Sequence, residues 1–377
     1  MAHRDLEIDE IRRLLIAGSS IQMLAPRRVG KTWLMHEVEK DLQSRGWLTI
    51  FSDVEGMRTE DEFLRDLCKK IEEVGSIAQR ARGQLVQRLQ QLVTGDFDGN
   101  PINAIGRIDV KRFSEALVAS LNEHEANAII LVDEVALFVS ARLATDPGAT
   151  LDFLYHLRRL RQAYPRVRWL LTGSIGLDVV ARRANLAGAL VDLEIFPLEP
   201  FSKVEARAYL AELCQNGKVR WPFSLDNGGF DHLAEQLGWL SPFYLKLIAD
   251  RIKSESTETT SLPMATVADI DRAFDQLLAP AFRGNFAAWE EHLKKNFPKP
   301  ESDALHAILE CCCKQPTGET IATIQARLAQ KYPTLTLREL MDLLTALAND
   351  GFLSEIGGRW CFRSGLLRRY WVKYITS

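Results

Sequence analysis

Seven histidines and six cysteines are few for 377 residues, and none of them forms a ligand set. There is no Cys-x-x-Cys and no His-x-x-x-His pair. Cys68, Cys214 and Cys361 are isolated, while Cys311, Cys312 and Cys313 are consecutive within a helical pattern. Neighbouring helical residues point about 100° apart, so the trio cannot close on one ion. No local pair is there to complete a zinc site, and buried apolar thiols are expected. A net charge of −3 lacks the basic excess that would give the whole chain an electrostatic footprint for nucleic acid or anionic lipid. Apolar runs are all too short to span a bilayer, and the opening MAHRDLEIDEIRR has no apolar leader core. The expectation is a cytoplasmic protein without membrane contact. An apolar fraction of 46% against 26% charged allows a large core, and the length calls for two or three domains.

What is present centres on Ala25–Thr32, APRRVGKT. A small residue, four variable residues and Gly-Lys-Thr form a phosphate-binding loop, with Ala25 where the strict pattern has glycine. Backbone N–H groups of Ala25, Arg27, Arg28, Val29, Gly30 and Lys31 would curl around phosphates, with Pro26 in the same loop supplying no N–H and Thr32 and Trp33 at the helix start. Lys31 would reach the terminal phosphates as a point charge, and the Thr32 hydroxyl would help hold Mg²⁺. Gly30 lets backbone approach phosphate without a side chain. The apolar Ile21–Leu24 before the loop reads as a strand, and TWLMHEVEKDL from Thr32 reads as a helix, the order this chemistry requires.

The second informative stretch is Ala128–Glu134, AIILVDE, a buried-strand pattern ending in two carboxylates. In nucleotide hydrolases with such a loop, the first carboxylate holds the metal and the second orients or deprotonates water. That assigns Asp133 to Mg²⁺ and Glu134 to the catalytic base. Val167–Ser174, VRWLLTGS, is another buried strand with polar residues at its tip, and Thr172 and Ser174 are the candidate γ-phosphate sensors. A helix from Ile175 ends in Arg182 and Arg183, either solvated or reaching a neighbouring subunit's nucleotide. Asp53 and Glu55, after the strand-like Trp47–Phe51, are secondary candidates with a turn role as the rival. Thr59–Leu92 has helical spacing, 94–101 breaks it, and Ala149–Tyr164 is a basic helix.

Taken together, APRRVGKT, IILVDE, LLTGSIGL, the RLRQ of the basic helix and VDLEIFPLEPFSKVEARAYL resemble the archaeal-type ATPase family of the STAND and AAA+ group, over nearly the whole chain. The resemblance implies an α/β fold: a parallel P-loop NTPase sheet core with an added strand (residues 1–200), an α-helical lid (201–297) and a C-terminal winged helix (298–377). It implies ATP as the nucleotide, and an expectation follows of a slow ATPase acting as a molecular switch. ATP and Mg²⁺ bound between core and lid would control self-association or binding of a protein partner. The alternative is a DNA-binding or DNA-loading ATPase.

Within the lid, Ser202 with Glu205 reads as a capping box. Gly238–Tyr244 resembles the turn that approaches base and ribose, making Pro242 and Tyr244 candidate contacts, with a helix corner packed by aromatics as the rival. Ser254–Ser261 is expected to be a polar loop. In the last 80 or so residues, Leu337, Leu340, Met341, Leu344 and Leu347 are expected to be buried, leaving Arg338, Glu339, Asp342 and Asn349 outside. Gly357-Gly358 marks a hairpin. Arg359, Arg363, Arg368, Arg369 and Lys373 are the better-placed DNA contacts, with Trp360, Tyr370 and Trp371 as a docking surface.

Overall fold

The computed structural model describes residues 3–74, 78–173, 180, 186–254, 262–297 and 299–376. The chain divides into two compact units, one of Arg4–Ala25 with Lys31–Leu198, the other of Met1–His3, Pro26–Gly30 and Glu199–Ser377.

The first unit runs α1 (Asp5–Ala17), β1 (Ser20–Leu24), α2 (Lys31–Ser44), β2 (Leu48–Asp53), α3 (Glu60–Glu73), α4 (Gln79–Leu92), α5 (Pro101–Ala104), α6 (Val110–Asn122), β3 (Ala128–Asp133), α7 (Val135–Thr145), α8 (Pro147–Ala163), β4 (Val167–Thr172) and β5 (Leu193–Pro197). The five strands form one sheet in the order β2-β3-β4-β1-β5, with every pairing parallel. β4 therefore lies between the strand that enters the loop and the strand that ends in Asp133, which is the added strand of the expected fold. Every residue of β3 is buried. A parallel strand covered on both faces must be apolar throughout, which is why Ala128–Val132 shows no alternation. Around the sheet Leu48, Ile50, Phe113, Ile130 and Trp169 pack into the core.

The structure adds detail to three of the segments read from the sequence. Thr59–Leu92 is two helices, the first set by a Thr59–Glu62 capping box. The turn-rich 94–101 is tied down, since the Arg107 guanidinium donates to the carbonyls of Thr94 and Asp96 and Asn100 caps α5. The basic helix α8 also turns its charge inward: Arg161 donates to Asp192 at 2.7 Å and Arg158 to the Gly188 carbonyl at 2.7 Å.

The second unit adds α9 (Lys203–Gln215), α10 (Asn227–Leu237), α11 (Pro242–Ala249), α12 (Val267–Leu277) and α13 (Gly284–Asn296). The Ser202–Glu205 capping box starts α9. Then follow α14 (Glu301–Cys313), β6 (Glu319–Thr320), α15 (Ile321–Ala329), α16 (Leu337–Asn349), β7 (Leu353–Ile356), β8 (Arg359–Phe362) and α17 (Gly365–Tyr374). The three short strands pair antiparallel in the order β6-β8-β7. Gly357 and Gly358 turn the hairpin with φ of 57° and 76°, the left-handed pair a two-residue turn needs. The expected Ser254–Ser261 loop lies, from residue 255 on, outside the described residues.

The surface of this region differs from expectation. Leu337 is 51% exposed at the first turn of α16, Met341 is only half-buried, and Leu343 joins Leu340, Leu344 and Leu347 inside. Trp360, Tyr370 and Trp371 are core residues, so they form no docking surface. Most of the basic side chains are engaged internally. Arg359 donates to the Gly318 carbonyl, Arg363 to Leu353, Arg368 to Cys313 and Lys373 to Leu278, all within 2.7–2.9 Å. Arg369 lies over the Phe274 ring. All six cysteines are free and buried. Among the described residues no helix is long and apolar enough to cross a membrane, and no group of His, Cys, Asp and Glu has the makings of a metal cluster.

Candidate functional site

The loop Ala25–Gly30 joins β1 to α2. Two of its residues sit in the left-handed region, Gly30 at φ 95° and Arg28 at φ 69°. A Cβ at Gly30 would have ordinary room, 3.8 Å from the Pro242 side chain, so backbone conformation is what requires glycine there. Arg28 carries a side chain in the same region at a cost of about 1–2 kcal/mol, which the surrounding structure must offset. Its guanidinium lies 4.4 Å over the Phe243 ring.

Lys31 opens α2 and is buried, its Nζ donating to the Ala25 carbonyl at 3.2 Å across the loop. The next residue, Thr32, donates from Oγ1 to Asp133 Oδ2 at 2.5 Å. A contact between residues 101 positions apart is what the parallel sheet provides, because β1 and β3 both end on the side where the loop lies. The other oxygen of Asp133 accepts from the Glu134 amide at 2.9 Å. Glu134 itself has φ 57° and ψ 28°, and its side chain makes no capping bond to α7. A non-glycine residue held left-handed at a strand terminus is the kind of strain that accompanies function.

Burial raises the proton affinity of Asp133; the Thr32 hydroxyl opposes this and the neighbouring Glu134 charge adds to it. The fold thus binds a proton more tightly than the unfolded chain does. Its contribution to stability is present below the ordinary carboxylate range and is lost as pH rises through the raised value. Asp133→Asn is therefore expected to melt higher than the wild type at neutral pH in Mg²⁺-free buffer. The gain should vanish in acid. Thermal melts at the two pH values check this, and an Asn variant less stable at neutral pH would contradict it.

Thr172 Oγ1 donates to the Met23 carbonyl at 3.2 Å across the β1–β4 pairing and is 1% exposed. Ser174, Arg182 and Arg183 lie outside the described residues. Trp33 is half-buried beside Thr32. Asp53 accepts from the Glu55 amide at 2.9 Å, a local turn, which is the rival role. Pro242 is buried in the first turn of α11 behind the Ser241 cap. Tyr244 is fully buried against Trp239, Phe243 and Trp289, so the aromatic-corner reading replaces its role as a base contact.

One constellation carries no sequence signal. Arg27 Nη1 lies 2.5 Å from His292 Nδ1, and His292 Nε2 lies 3.1 Å from Asp350 Oδ2. A guanidinium can only donate, so Nδ1 accepts and Nε2–H donates to the carboxylate.

No family model matches the sequence, and no curated protein matches it. Solved structures do. The Walker-type ATPase PABY2304 of Pyrococcus abyssi aligns over 97% of this chain and 95% of its own, at 15% identity and a TM-score of 0.67. The fold is that of an AAA+ P-loop NTPase. The ORC2 protein of Aeropyrum pernix, solved in ADPNP–ADP complexes, has the same fold over 97% of this chain and 90% of its own, at 13% identity and a TM-score of 0.56. Within that AAA+ P-loop fold, Ala25–Thr32 occupies the strand-to-helix loop and Asp133-Glu134 the end of the strand two places away in the sheet.

Proposed function

We propose that this chain is an ATP-dependent molecular switch of the STAND and AAA+ type, with slow hydrolysis resetting it. The observation that carries the reading is the meeting of Lys31, Thr32 and Asp133 at the strand ends, with Glu134 next in line. An ammonium faces the loop, and a hydroxyl and a carboxylate lie within hydrogen-bond reach of one another. Two hard oxygen donors at one point suit Mg²⁺, and a cation there would favour the ionised form of the buried Asp133. Thr32 and Asp133 would hold the ion, which when bound supplies charge neutralisation on the phosphate oxygens.

The chain's own residues do the rest. The amides of 27–31 and the Lys31 ammonium bind and orient the phosphates. Glu134 orients the attacking water and takes its proton. Thr172 and Ser174 are proposed to read the terminal phosphate, Thr172 by exchanging its bond to Met23 for one to the nucleotide. Trp33 and Pro242 are proposed to border the nucleotide. Residues 1–200 are read as the ATPase core, 201–297 as the lid and 298–377 as a winged helix, which the helix–strand–helix–helix–hairpin order supports. Output is self-association, or binding of a protein partner, in the ATP form. Arg182 and Arg183 remain proposed contacts to a neighbouring subunit. Calorimetric titration with ATP and Mg²⁺ tests the reading, and absence of saturable binding would remove it.

The element order of the winged helix also supports a second reading, a DNA-binding ATPase. The engagement of Arg359, Arg363, Arg368 and Lys373 with internal carbonyls counts against it, as does the mixed exposed face of Arg338, Glu339 and Asp342. Filter binding with duplex DNA is expected to show no salt-dependent affinity, with or without ATP; steep salt dependence would favour the second reading.

A further inference from the structure

Two consecutive loop residues are gripped by one turn of the chain more than 300 positions away. The turn follows α16, where Asp350 ends the helix and Gly351 adopts φ 88°. A Cβ on Gly351 would fall 3.1 Å from Pro26 Cβ and 2.9 Å from the Trp239 ring, so its bare backbone packs directly on the loop. Arg27, the next loop residue, reaches the same turn through His292 on α13, by the 2.5 Å and 3.1 Å hydrogen bonds described above. His292 is 6% exposed and Asp350 0%. The His292–Asp350 bond is buried, while the Arg27–His292 bond lies half-buried at the edge of the loop.

The relay is also incompletely satisfied. Asp350 Oδ1 is buried and has no hydrogen-bond partner among the described residues, so the carboxylate holds its place through His292 on one oxygen alone. A buried carboxylate so poorly satisfied is costly, and one that loses its single side-chain donor must move or find another.

We propose that His292 is a positioning residue that couples the phosphate loop to the Asp350–Phe352 turn. This rests on the reading that the loop binds a nucleoside polyphosphate. A phosphate that draws the Arg27 guanidinium to itself takes Nη1 away from His292 Nδ1. Once released, His292 no longer fixes the carboxylate of Asp350, and the turn that carries Gly351 into β7 is freed. The substrate's phosphates and the start of the C-terminal hairpin therefore compete for one arginine.

The turn offers its own readout. The amides of Asp350, Gly351 and Phe352 are bonded to the carbonyls of Ala346, Ala348 and Leu347 at 3.0, 3.0 and 2.9 Å. Hydrogen exchange at these amides is measured on the full chain with and without ADPNP and Mg²⁺, with binding of ADPNP measured separately by calorimetry. In the wild type, saturation is expected to raise exchange there by about tenfold, within the usual range of coupling between sites. His292→Leu is expected to bind ADPNP and show no such change. His292→Gln, whose amide both accepts and donates, should restore it. A second pair guards against a misfolded variant: Asp350→Asn, which keeps the acceptor, should respond like the wild type, and Asp350→Ala like His292→Leu. A response that persists in His292→Leu or Asp350→Ala, or one absent from the saturated wild type, overturns the coupling. Failure of the wild type to bind ADPNP at all instead overturns the nucleotide reading, and the coupling with it.

Discussion

Lys31→Ala is expected to weaken ATP binding by about 100-fold or more. The side chain is 7% exposed and already directed across the loop to the Ala25 carbonyl, so its ammonium is preorganised and partly desolvated. Each charge-assisted bond to a phosphate oxygen is worth about 1.5–3 kcal/mol, and a lysine in this position makes two. The sum of about 3–6 kcal/mol corresponds to about 10²–10⁴-fold in affinity. Folding should suffer much less. Removing the ammonium takes a donor from the Ala25 carbonyl, a loss of about 1 kcal/mol. The variant is therefore expected to melt within a few degrees of the wild type while failing to bind. Calorimetry on both proteins separates the two effects, and a variant that still bound ATP within about threefold of the wild type would exclude Lys31 from the site.

Glu134→Gln is expected to slow phosphate release by about 10²–10⁴-fold while leaving ATP affinity nearly unchanged, as removal of a general base does. The backbone supports a clean result. Glu134 caps α7 through its main chain, its carbonyl accepting from the amides of Leu137 and Phe138, and its side chain makes no capping bond. Glutamine keeps the shape and the left-handed conformation, so stability should change by less than about 0.5 kcal/mol. The variant should accumulate the ATP-bound form, which makes it the preferred protein for capturing a partner. A chain that only holds nucleotide, without turnover, would release phosphate equally slowly with either residue.

Much of the core was legible because parallel-sheet strands announce themselves. Ala128–Val132 is apolar on both faces, Val167–Leu171 is so apart from Arg168, and the polar residues that follow mark the sheet's ligand edge. The loop was legible for a similar reason, since Gly30-Lys31-Thr32 is a local requirement of phosphate chemistry. Non-local facts were not. The placement of β4 between β3 and β1 is a pairing choice that no single segment encodes.

The C-terminal basic residues misled because their partners are backbone carbonyls, which every residue has and no pattern displays: Arg363 reads as a free charge until Leu353 and Ala348 are seen to accept from it. Trp371 and Tyr370 fell on helical spacing compatible with either surface or core, and packing against Phe352, Phe362 and Phe286 decided for the core. Leu337 erred the other way, since the apolar stripe of α16 begins one turn later than its leucines do. His292 gave no signal at all, because a lone histidine on a helix gains meaning only from Arg27, 265 residues before it.

The central claim is that ATP, held by Lys31, Thr32 and Asp133, drives a change in association. Light-scattering mass of the purified chain with ATP and Mg²⁺, beside Lys31→Ala under the same conditions, tests it most directly. The account expects the wild type to move from the monomer mass to a multiple of it on adding ATP, and the variant to stay monomeric. A wild type that binds ATP by calorimetry yet keeps the monomer mass, indistinguishable from Lys31→Ala, would contradict ATP-driven self-association.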